Sequence, residues 1–111
     1  MPIMEERRTR RSDSRDEALQ ILVETLSERR GGRGVALVDD RGLLLAGAGK
    51  TREMWGLSRC LSRIDSLAPD RRPAVAHVAA AGERLRLAMF DLAPVELAAA
   101  AGGVRRILIT S

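Results

Sequence analysis

The chain has 111 residues, 45% of them hydrophobic, and 19 Lys+Arg against 15 Asp+Glu give a formal charge of +4. That is the length of one domain with enough apolar material for a core, which excludes wholesale disorder. A single cysteine, Cys60, excludes an internal disulfide and a cysteine-cluster zinc site, and one histidine with no tyrosine leaves little for acid–base work at neutral pH.

Composition thus favours a compact binding or regulatory domain over an enzyme. No apolar run reaches the roughly 18 residues of a membrane span. The opening Met1-Pro2-Ile3-Met4-Glu5-Glu6 has no apolar stretch behind it, so a cytoplasmic location is expected. Lys50 is the single lysine among the bases. An arginine bias with abundant alanine discounts the basic balance as a nucleic-acid signal, and both signs are spread along the chain.

Residues 1–13 hold the densest cluster, Arg7, Arg8, Arg10 and Arg11. They read as a flexible basic arm, a solubilising tail in preference to a contact with an acidic partner or nucleic acid, ahead of a single domain over 14–111. Ser14 and Glu17 have capping-box spacing, and Leu19, Leu22, Val23 and Leu26 form one apolar stripe. A helix is predicted from about 14 to 30, stopped by Gly31-Gly32.

Two apolar runs around Asp39-Asp40-Arg41-Gly42 predict a β-hairpin, with both strands covered on both faces. A second helix is predicted over about 52–67, with Thr51 as N-cap and Met54, Leu57, Leu61 and Ile64 as its inner stripe. Residues 74–80 and 84–90 predict two strands around Ala81-Gly82-Glu83. Residues 94–108 suit a third helix, weakened by Gly102-Gly103, with Ile107–Thr110 as an alternative last strand. The fold class is α+β, an antiparallel sheet sandwiched by helices in the order α-β-β-α-β-β-(α).

Three motifs have plainer readings. Gly49-Lys50-Thr51 follows a strand and opens a helix, as in a phosphate-binding loop, but Leu44 stands where that loop needs a small residue. Asp39-Asp40 is explained by the turn rather than by a metal, and Cys60 beside Leu61 reads as a small buried hydrophobe. His77 within Val75-Ala76-His77-Val78 reads as a structural or edge residue rather than a metal ligand or base.

The opening helix, Gly34-Val-Ala-Leu-Val-Asp-Asp-Arg-Gly-Leu-Leu-Leu-Ala-Gly47, the following helix and hairpin, and the closing Val104-Arg-Arg-Ile-Leu108 together resemble the roadblock / dynein light chain family over about residues 14–108. The resemblance implies a domain without a catalytic centre of its own, and no metal or cofactor is expected. It implies homo- or heterodimers joined edge to edge, whose paired second helices bind a small Ras-like GTPase or scaffold component. It places the dimer edge at Val75, His77 and Ala79, and the partner face at Trp55, Arg59 and Arg63.

The residues support that face independently. Trp55 falls away from the inner stripe and is followed one turn on by arginine, the composition of an interface anchor. Against it stands a Trp55 that merely laps the boundary of its own core. Arg59 and Arg63 repel each other mildly at i, i+4, which an acidic partner or acidic neighbours in the fold would relieve. The rival function is a PAS- or GAF-type sensor holding a small ligand, disfavoured by an aromatic content of 2%. The same scarcity argues against single-stranded nucleic acid.

Overall fold

The computed structural model describes residues 3–68, 70 and 72–110, with the side chains of 14–61, 63–68, 70 and 72–110. The elements run α1 (Ile3–Arg29), β1 (Val35–Asp39), β2 (Leu44–Ala48), α2 (Thr51–Ser62), a 3-10 turn (Ile64–Ser66), β3 (Ala74–Ala80), β4 (Glu83–Met89) and α3 (Pro94–Thr110). The predicted α+β class and element order are those observed, and Ile107–Thr110 belongs to the last helix rather than to a strand.

The four strands form one antiparallel sheet in the order β2-β1-β4-β3. β1 is central because Val35, Ala36, Leu37 and Val38 are apolar on both faces, and all four are fully buried. Val35 and Leu37 join Leu85, Leu87 and Met89 of β4 beneath Leu19 and Val23 of α1 and Val104 and Leu108 of α3. Ala36, Val38 and Ala88 face the other way, beneath Leu57 and Leu61 of α2. Three layers result: α1 with α3, the sheet, and α2. Each fully buried Val or Leu contributes about 1.5–3 kcal/mol, so β1 ties both cores together.

The hairpin turn forms as its residues require. Asp39 Oδ1 accepts from the Arg41 and Leu43 N–H groups at 2.9 and 2.8 Å, and Gly42 takes a φ of +87°. The β3–β4 turn places both Ala81 and Gly82 at positive φ, +52° and +77°. That pattern matches the right-handed twist of the strands it joins. Gly103 lies where α1 and α3 cross, and a Cβ there would come within 2.7 Å of Leu22 Cδ1.

Four local expectations are corrected. α1 runs through Ser14, which lies inside the helix rather than at its N-cap. No Gly or Pro between Ile3 and Ser14 interrupts it. α2 begins at Thr51 behind an extended Lys50 without a side-chain cap, and ends at Ser62 in a 3-10 turn rather than near residue 67. β2 is an edge strand and is not covered on both faces, for Leu43 is 64% and Leu45 40% exposed. The register slips between Leu37 and Val38, which pair with Ala46 and Leu44 and leave Leu45 as a bulge. Cys60 is half-buried.

Candidate functional site

The two edges of the sheet differ. On β2, the Gln20 side chain of α1 takes the place of a further strand. Its Nε2 donates to the Gly47 carbonyl at 2.7 Å, and its Oε1 accepts from the Gly47 N–H at 3.3 Å. Among the described residues no such hydrogen bond covers the outer edge of β3. An edge with unpaired backbone groups is a template for another strand.

Val75, His77 and Ala79 alternate along β3 and face the α2 side of the sheet. Val75 packs against the Ala36, Val38, Leu57 and Leu61 core, while His77 and Ala79 are exposed. Opposite them on β4 lie Ala88, Arg86 and Arg84 in turn.

α2 is amphipathic in the simplest way. Leu57 and Leu61 are buried against the sheet, whereas Trp55 is 51% exposed and Arg59 is exposed on the outer surface. Arg63 lies past the last helical residue as the C-cap, its N–H donating to the Cys60 carbonyl at 3.1 Å. The structure thus brings Trp55 and Arg59 together on one helix face and sets Arg63 at its end.

A network that sequence reading missed holds α2 in place. Arg33 Nε donates to Glu53 Oε1 at 2.7 Å, Arg33 Nη1 donates to Asp91 Oδ2 at 3.3 Å, and Glu53 Oε2 accepts from the Gly34 N–H at 3.2 Å. The Glu53 carboxylate, by hydrogen bond and charge, holds the Arg33 pKa above its ordinary value. These partners are 20 and 58 positions from Arg33, so no local spacing signals them.

The demoted motifs resolve in the same region. A Cβ on Gly49, at φ +89°, would lie 2.4 Å from the Arg33 carbonyl. Gly49-Lys50-Thr51 is therefore a close backbone crossing, and the Lys50 N–H donates to the Gly32 carbonyl at 3.3 Å. Among the described residues no group of three or more His, Cys, Asp or Glu side chains is placed to hold a metal ion, and no helix is long and apolar enough to cross a membrane. The face of the sheet beneath α1 and α3 is packed with Val35, Leu37, Leu85, Leu87 and Met89. On the outer side of the α1–α3 layer, Ile21, Leu22, Leu26, Ala100 and Ile107 line a groove of about 760 Å³.

No protein-family model matches the chain, and no curated protein matches it in sequence. The fold does match a solved structure, that of Myxococcus xanthus MglB, with a TM-score of 0.55 and 14% identity over 86% of this chain and 93% of that one. At that identity the match speaks for architecture: three helices on a four-stranded antiparallel sheet, the order α-β-β-α-β-β-α, and hence a roadblock-like fold.

Proposed function

We propose that two copies of this chain join through β3 and present their α2 helices as a docking surface for a small Ras-like GTPase. The chain then acts as a scaffold or regulator in the cytoplasm and makes or breaks no bond itself. One observation carries the reading. Trp55 stands half exposed on the outer face of α2, opposite the buried Leu57 and Leu61, with Arg59 one turn on. Exposing a large aromatic beside arginine is the arrangement that anchors interfaces.

Two features support it. The α2 N-terminus is tied through Glu53 to Arg33 and Gly34 at the entry to β1, so the surface is held rigidly and little ordering entropy opposes binding. Gln20 occupies the Gly47 backbone on the β2 edge, which favours β3 as the side for strand addition. The partner class comes from the resemblance to roadblock domains.

The test is affinity capture from the native lysate with the full chain as bait. A small GTPase is recovered by the wild-type chain and lost with Trp55→Ala. Equal recovery with both baits places the partner elsewhere.

A further inference from the structure

The α2 side of the sheet is covered over only part of its width. Ala36, Val38, Ala88 and Val75 lie beneath α2, whereas His77, Ala79, Arg84 and Arg86 continue the same face beyond it. His77 pairs across the strands with Arg86, and Ala79 with Arg84. Residues two apart on a strand share a face, so both guanidinium groups and the imidazole rise from one patch. They line a recess of about 340 Å³ that Asp40 borders from the hairpin turn.

Arg86 is incompletely satisfied there. Its Nη2 donates to the Asp39 carbonyl at 3.3 Å, but its Nε is buried without a hydrogen-bond partner. A guanidinium keeps its proton, so this donor needs an acceptor. Among the described residues no carboxylate lies within ion-pair distance of Arg84 or Arg86, Asp40 included. Leaving His77 aside, the recess has two cations against one carboxylate.

We propose that this recess binds an oxyanion, held by Arg86 and Arg84 with His77 as a further donor. An oxyanion there answers the excess of positive charge, and the guanidinium fork suits carboxylate and phosphate alike. All of its residues belong to one chain, and His77 and Ala79 set it beside the β3 edge along which the proposed dimer forms.

The test is an NMR titration of the full chain at constant ionic strength, following the Arg86 Nε–H and His77 ring signals. Inorganic phosphate is the probe in one arm and an N-acetylated tri-glutamate peptide in the other. Saturable shifts confined to β3 and β4 support the site. Saturation by phosphate alone names a phosphate group as the ligand, saturation by the peptide alone names a protein carboxylate, and saturation by both supports a general oxyanion site. Arg84→Ala, at an exposed position, and Arg86→Lys, which keeps the charge but loses the fork, each weaken binding about tenfold. Linear shifts in both arms, equal to those at the exposed Arg105, overturn the proposal, as does unchanged affinity in both variants.

Discussion

Arg33 Nε donates to Glu53 Oε1 at 2.7 Å, joining the loop that leads into β1 to the first turn of α2. The second Glu53 oxygen accepts from the Gly34 N–H, so one carboxylate fixes both the charge and the backbone at this crossing. Glu53→Ala leaves the buried Gly34 N–H without an acceptor and destabilises the fold by about 1–3 kcal/mol. Chemical denaturation measures the loss. Glu53 raises the Arg33 pKa, so the contribution of Arg33 is complete below the ordinary guanidinium range and is lost only as pH climbs through the raised folded value. It is therefore constant across neutral pH, and added salt is what narrows the gap between wild type and variant.

Gly34 is placed for close approach. A Cβ there would lie 2.5 Å from Glu53 Cβ and 2.9 Å from the Met54 backbone nitrogen, and backbone cannot turn aside as a side-chain end can. Gly34→Ala pushes α2 off the sheet at a cost of about 1–3 kcal/mol or more. The matched control is Gly102→Ala, in α3 with nothing within 4 Å, where the helix is stabilised by about 1 kcal/mol. Thermal unfolding of the two variants in opposite directions checks the contrast.

Ala81 sits at φ +52° in the β3–β4 turn, a conformation that costs a residue with a Cβ about 1–2 kcal/mol. Asparagine tolerates it, and Asn-Gly is the favoured pair for such a turn. Ala81→Asn raises stability by up to about 1 kcal/mol, read as a higher midpoint in urea with an unchanged slope.

Trp55 separates stability from binding. Its side chain is 51% exposed, so Trp55→Ala changes folding stability by only about 0.5 kcal/mol. Loss of an interface anchor weakens partner binding by about 2 kcal/mol or more, a thirtyfold change or larger. Calorimetry of the GTPase complex beside denaturation of the free chain shows whether the two effects part in this way.

Local chemistry made much of the fold legible. Asp39 and Gly42 announce their own turn, and the continuous run Val35–Val38 declares a strand buried on both faces. The alternation in Arg84–Leu87 marks β4 correctly, with Leu85 and Leu87 in the core and Arg84 and Arg86 across from it. What escaped depends on neighbours in space. Ser14 and Glu17 have the spacing of a cap, but only a helix that starts there uses it, and α1 does not. Leu43 and Leu45 look as apolar as β1, yet β2 ends the sheet and leaves them exposed. Arg33, Glu53 and Asp91 meet from the α1–β1 loop, the first turn of α2 and the β4–α3 turn. The outward face of Trp55 and Arg59 was readable from the helical period; Arg63 was not, because the helix stops one residue before it.

The account depends on two copies meeting along β3, where Ala79 is exposed on an edge strand of the sheet. Light scattering on the full chain measures this directly. The prediction is a mass of twice 12.1 kDa, returning to 12.1 kDa when Ala79→Lys sets a charge on that strand. A wild-type chain that elutes at 12.1 kDa across the accessible concentration range contradicts the paired docking surface.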